Sequence, residues 1–164
     1  MGDSINFCCS QCRYRHTEIC GVGFFTMLLF DNDPRTNEPV YRSDIKNTNV
    51  VAEIERIFET KENVYADYGE QERAGVRRGI EFAPYYCQKC KTVESNYFFR
   101  LVYTGGSYEP TYLCKKCKSD LLLAEYKSGP DGGIFTATSD MPVDLCCPEC
   151  GHKMMVGPGG IDWD

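Results

Sequence analysis

Cys87-Gln-Lys-Cys90 and Cys114-Lys-Lys-Cys117, with 23 residues between them, decide how the rest of the chain is read. A Cys-x-x-Cys pair turns the backbone tightly enough for both sulfurs to face one ion, so each pair supplies half of a tetrahedral site. The intervening segment has the composition of a β-hairpin. Tyr97, Phe99, Leu101 and Tyr103 fall on one strand face, Gly105-Gly-Ser107 reads as the turn, and Tyr108 to Leu113 as the return strand. A hairpin there joins the two half-sites with little loop entropy lost, which predicts one four-cysteine metal site.

Two more pairs complete the set, in Phe7-Cys-Cys-Ser-Gln-Cys12 and Leu145-Cys-Cys-Pro-Glu-Cys150. Cys9, Cys12, Cys87, Cys90, Cys114, Cys117, Cys147 and Cys150 together are the ligand inventory of two all-cysteine sites, each suited to one Zn(2+). With the central pairs matched, Cys9/Cys12 and Cys147/Cys150 share the second ion. A competing arrangement joins the first pair to the second and the third to the fourth, across gaps of 74 and 29 residues. Another is local, Cys9-x2-Cys12-x3-His16-x3-Cys20, and leaves Cys147/Cys150 without a partner pair. Cys8, Cys20 and Cys146 then read as small buried hydrophobes, and His16 and His152 as surface or supporting groups. A dithiol redox centre needs one reactive pair, whereas four pairs satisfy two metals with none left over.

The chain has 164 residues, 24 acidic against 18 basic, and a formal charge of -6. Four thiolates around a divalent ion leave about -2 per site, which takes the loaded protein to about -10. Such a surface repels phosphate backbones unless one face is locally basic. Met1 to Asn6 carries no secretory pattern, and Asn6 stands where a myristoylation motif requires Ser or Thr. The apolar stretch Val22 to Phe30 is far below the roughly 20 residues that span a bilayer. Eleven cysteines, an odd number at knuckle spacing, fit metal in a reducing compartment, and the expected location is the cytoplasm with no membrane partner.

The expected fold class is α+β, with zinc-ribbon β-hairpins and a helical insert between the first and second knuckles, in a single zinc-stapled domain. Its sub-regions are 1–30 with the N-terminal knuckle and an apolar strand or short helix, 40–80 the insert, 84–126 the ribbon, and 127–164 C-terminal strands and the closing knuckle. Asp31 to Pro39 has loop composition. Val50, Val51, Ile54, Ile57 and Phe58 recur at helical spacing within Thr48 to Thr60, with Glu53, Glu55, Arg56 and Glu59 opposite. Lys61 to Arg78 reads as a weaker helix whose Tyr65 and Tyr68 cover the core. Further strands are expected at Leu121 to Tyr126 and Ile134 to Thr138, around the turn Ser128 to Gly133.

The segment Cys147-Pro-Glu-Cys-Gly-His-Lys-Met154 resembles the Cys-Pro-x-Cys-Gly knuckle of zinc-ribbon and rubredoxin-like proteins, with Gly151 where positive φ is useful. The other knuckles carry Arg13, Lys91 and Lys118 at that position. The order of N-terminal knuckle, Gly21-Val-Gly-Phe24 segment, helical insert and closing knuckles resembles small bacterial zinc-ribbon proteins of uncharacterised function. That likeness implies a fold rather than an activity.

No His-Glu-x-x-His, Gly-x-Ser-x-Gly or complete dinucleotide loop occurs. Closed shells of four thiolates leave no position for substrate, so a non-catalytic module that binds another protein is expected. Two alternatives remain open. Lys89, Lys91, Lys115 and Lys116, interleaved with Tyr97, Phe98, Phe99, Tyr103, Tyr108 and Tyr112, suggest a stacking surface for single-stranded nucleic acid, against the simpler expectation that alternate rings are core. A rubredoxin-like iron or dithiol redox protein is the other.

Overall fold

Strand β1 (Gly2–Cys8) turns Ile5 and Phe7 to the same side, both essentially excluded from solvent, and this alternation anchors the main sheet. A computed structural model describes residues 2–67, 79–129, 132–137 and 143–159, and the chain divides into two compact units. The first comprises Met1–Gly21, Phe82–Asn96 and Tyr112–Asp164; the second comprises Val22–Glu81 and Tyr97–Thr111.

In the first unit β1 pairs antiparallel with β2 (Arg15–Gly21) and, on its other side, with β10 (Met155–Pro158). The sheet continues from β2 to β4 (Glu81–Cys87), then β8 (Leu122–Gly129) and β9 (Gly132–Ala137), while β5 (Thr92–Phe98), off this path, pairs with β4. Ile5, Phe7, Tyr86, Val93, Ala124, Leu145 and Met154 form its core, and Cys9 and Cys147 are buried in the same cluster. Tyr85 packs edge-on against Tyr112 at 5.0 Å between ring centroids.

Among the described residues the second unit holds three helices, α1 (Phe24–Met27), α2 (Val40–Asp44) and α3 (Thr48–Thr60). Its small sheet runs β3 (Tyr65–Ala66), β6 (Leu101–Tyr103), β7 (Gly106–Tyr108). Helix α3 begins where the Asn47 side chain accepts the N–H groups of Asn49 and Val50 at 3.1 and 3.3 Å. Val50, Ile54 and Ile57 are its buried residues, and Leu29, Tyr41 and Ile45 are buried in the same unit. Phe58, expected on that face, is 43% exposed: it lies one residue past the buried row and only flanks Phe30, at 6.3 Å between centroids.

Several expectations need correcting. Tyr97 to Tyr103 is not one strand; it breaks at Phe99 and Arg100, because residues up to Asn96 pair within the first unit whereas Phe99 and Leu101 are buried in the second. Phe99 meets Phe30 edge-on at 5.2 Å. The hairpin turn is Thr104-Gly105, with Gly105 at φ 93°, and Gly106 and Ser107 already belong to β7. The return strand stops at Tyr108, since Pro110 has no N–H to donate to a ladder. The 84–126 ribbon is therefore divided, with 97–111 in the unit that holds the helical insert. Lys61 to Asp67 forms no helix: it carries strand β3, and Tyr65 is 58% exposed rather than covering core. Tyr68 and the rest of that segment lie outside the described residues, as do Pro130, Asp131 and Thr138. The apolar stretch after Gly21 is a four-residue helix followed by a turn. Among the described residues no helix is long and apolar enough to cross a membrane.

Candidate metal centres

Each knuckle is a turn at the end of a two-stranded ribbon. The Cys9/Cys12 turn caps β1–β2, whose last pair is Cys8 with Arg15, and the Cys87/Cys90 turn caps β4–β5. The other two cap ribbons reduced to a single bridge, Leu113 with Asp120 and Cys146 with Lys153. The backbone bonding repeats. The N–H of the first cysteine donates five residues on, from Cys9 to Tyr14, Cys114 to Ser119 and Cys147 to His152, at 2.7–2.9 Å. In return, the N–H groups of Lys91, Lys118 and Gly151 donate to the carbonyls of Cys87, Cys114 and Cys147 at 2.8–2.9 Å. The residue after the second cysteine is left-handed in all four: φ is 62° at Arg13, 57° at Lys91, 59° at Lys118 and 75° at Gly151. The glycine-like position of the closing knuckle is thus a property of every knuckle, although three of them place a long basic side chain there.

The structure brings the sulfurs into two quartets, Cys9, Cys12, Cys147 and Cys150 in one and Cys87, Cys90, Cys114 and Cys117 in the other. Within each quartet all four sulfurs lie within 4.8 Å of one another. Cross-pair Sγ–Sγ distances are 3.5 Å for Cys9–Cys150, 3.4 Å for Cys12–Cys147, 3.5 Å for Cys87–Cys117 and 3.9 Å for Cys90–Cys114. A tetrahedron with metal–sulfur bonds of roughly 2.3 Å has edges of about 3.8 Å, so both quartets have the right size for a metal ion. The first quartet closes over a separation of 135 residues between Cys12 and Cys147. This is the expected pairing, central with central and first with last, and the wide closure adds little cost, since closing 135 residues rather than 24 costs only about 1.5 kcal/mol more. Pairing of β1 with β10, from Ile5 opposite Pro158 to Cys8 opposite Met155, brings those distant turns together.

Electrostatics favour a cation between the sulfurs. The N–H groups of Cys12 and Gln11 hold the Cys9 thiol down to about 6, and Ser119, through hydroxyl and N–H, does the same for Cys117. Their neighbours move the other way. The adjacent Cys117 sulfur pushes Cys90 up to about 12; the Tyr14 N–H favours the Cys12 thiolate, yet burial and the sulfurs of Cys147 and Cys150 push that thiol up to about 12. Four sulfurs this close cannot all ionise by themselves, whereas a divalent ion stabilises every thiolate at once.

Cys8, Cys20 and Cys146 stand outside both quartets. His16 pairs with Glu18 at 2.6 Å and is not drawn into an N-terminal Cys/His site. Of the lysines considered for nucleic acid, Lys89 and Lys116 are exposed, Lys91 lies 6.0 Å from the Tyr86 ring centre, and Lys115 faces Glu94 at 3.4 Å. Tyr97, Phe99 and Tyr112 are buried, and Tyr97 to Tyr108 belongs to the second unit whereas the four lysines belong to the first. No protein-family model matches this chain, and no curated protein or solved structure matches it either.

Proposed function

We propose that the chain is a zinc protein in which two structural four-cysteine sites staple the first unit, and that it works by binding another protein rather than by catalysis. The observation that carries this is the pair of sulfur quartets, each closed by four ligands from two like turns. Cys9, Cys12, Cys147 and Cys150 would hold one ion; Cys87, Cys90, Cys114 and Cys117 the other. A divalent ion bound there supplies charge compensation and a cross-link, with no coordination position left for substrate or water. The burial of Cys9 and Cys147 within the hydrophobic cluster of the first unit supports a structural role, because the ion would be continuous with the core.

Elemental analysis of protein purified without added metal tests the assignment. Two zinc ions per chain and a colourless solution are expected; a red protein containing iron, or sulfurs oxidised to disulfides, overturns it. Cys87→Ser should lose one ion and unfold the central knuckles, since structural zinc contributes roughly 10–16 kcal/mol in zinc-finger peptides. A Cys87→Ser protein with two ions and an unchanged melting curve contradicts the structural role.

A further inference from the structure

A cavity of about 330 Å³ opens within the first unit between the β1–β2 hairpin, strand β5 and the ribbon that carries Cys147. Its floor is apolar and buried, made by Phe7, Val93, Leu145 and Met154. Tyr14 and His16, stacked with centroids 6.4 Å apart, form a wall. Beside His16 the lining is acidic. The side chains of Glu18 and Glu94 are each 15% exposed, whereas their partners His16 and Lys115 are 44% and 79% exposed. Glu18 accepts from His16 and from the Ser95 N–H, and Glu94 Oε1 accepts from the Lys115 N–H. Two buried atoms remain unsatisfied: Ser95 Oγ, and Glu94 Oε2, which the Lys115 ammonium approaches to 3.4 Å without donating a hydrogen bond.

Buried acceptors without donors are unfavourable, so this part suits a group that brings N–H bonds. The surroundings select its charge. Lys91 and Lys115 adjoin Cys90 and Cys114, Cys146 and Pro148 flank Cys147, and each loaded quartet contributes about -2 beside the cavity. Lys91 is directed at the Tyr86 ring. A planar guanidinium has donors in a fork that reaches two neighbouring acceptors, and it stacks on aromatic rings, which a compact ammonium does less well. We propose that this cavity binds the guanidinium of an arginine side chain presented by a partner polypeptide, with Glu94 and Ser95 receiving its N–H groups and Phe7, Tyr14 and Met154 covering its stem. Four consecutive residues, Thr92 to Ser95, line the cavity, so it runs along an edge of β5 rather than over one face. Among the described strands β5 pairs with β4 only, and its other edge is partly engaged already, the Ser95 N–H donating to Glu18 and the Lys91 carbonyl accepting from the Cys146 N–H. Taking the arginine from a polypeptide rests on the protein-binding role proposed above; the guanidinium chemistry of the cavity does not.

The test is a titration of the metal-loaded protein, followed by amide ¹H–¹⁵N spectra, with N-acetyl-arginine amide, its neutral isostere N-acetyl-citrulline amide, agmatine, and a short extended peptide with a central arginine. The blocked arginine should shift the amides of Tyr14, Glu94 and Ser95, and the citrulline derivative should bind at least about tenfold more weakly. Glu94→Gln should weaken the arginine by a similar factor while both metals stay bound; Ser95→Ala, which keeps the charge, gives a smaller loss and serves if Glu94→Gln fails to fold. Citrulline binding as well as arginine, or no shifts at these residues, overturns the cavity's assignment. The peptide should bind more tightly than agmatine; equal affinities assign the cavity to free guanidinium compounds and overturn the polypeptide source. Metal content is measured first, so a failure of the zinc assignment is seen separately from a failure of arginine binding.

Discussion

Arg13, Lys91 and Lys118 hold backbone angles that L-residues with a Cβ adopt at a cost of roughly 1–2 kcal/mol each. At Lys91 and Lys118 the knuckle imposes this, because the N–H after the second cysteine must swing back to the carbonyl of the first. At Gly151 an added Cβ would meet nothing within 4 Å, so Gly151→Ala isolates the backbone cost and should lower stability by about 1 kcal/mol in denaturation of the metal-loaded protein. Lys118→Gly should move the other way, gaining up to about 1 kcal/mol after the extra entropy of glycine in the unfolded chain is subtracted. An unchanged midpoint for both variants would show that the ions, not the dihedrals, set the stability of these turns. The sequence displays this requirement only at Gly151, and basic residues elsewhere conceal it. Glu18 and Ser95 were equally invisible, since no spacing relates residues that meet only when two separate strands are placed side by side.

The extent of helix α3, Thr48 to Thr60, was legible because its apolar period is regular, whereas the Asn47 cap and the exposure of Phe58 came from the structure. Its energetics should follow burial rather than hydrophobicity. Ile54→Ala, at a fully buried site, should cost about 2–5 kcal/mol. Phe58→Ala, at a half-exposed site, should cost under about 1 kcal/mol, and Asn47→Ala about 1 kcal/mol through the lost cap. Thermal unfolding followed by the helical signal checks the order; a Phe58 variant as damaged as the Ile54 variant would place the ring in a core the structure does not give it. The aromatic segment after Asn96 was less legible. Alternation of Tyr97, Phe99 and Leu101 continues unbroken across Phe99 and Arg100, where β5 has ended and β6 has not begun, so periodicity alone could not mark the break.

Both quartets lie in the first unit, while the second holds its own buried set of Leu29, Tyr41, Ile54, Ile57, Phe99 and Leu101 with none of the eight quartet cysteines. Titration with a strong chelator should therefore disorder Ile5, Val93 and Leu145 before α3 loses its helical signal. Simultaneous loss of both would show that the units do not melt separately. Acid acts with the same sign as chelation. Ligation keeps the thiols deprotonated, so the stability supplied by metal is present at high pH and is lost as pH falls and protons compete for sulfur. Zinc release measured against pH should run parallel to the loss of sheet signal.

The wide spacing of the quartet built from Cys9, Cys12, Cys147 and Cys150 sets an order of events during synthesis. At 5–20 residues per second, the ribosome needs roughly 7–27 s to extend the 135 residues from Cys12 to Cys147. The central quartet, whose halves are 24 residues apart, is ready within roughly 1–5 s of its first pair. Throughout that interval the early pair of thiols waits with half of its quartet, exposed to oxidants and to competing ions, and only the arrival of Cys147 and Cys150 ends that vulnerability.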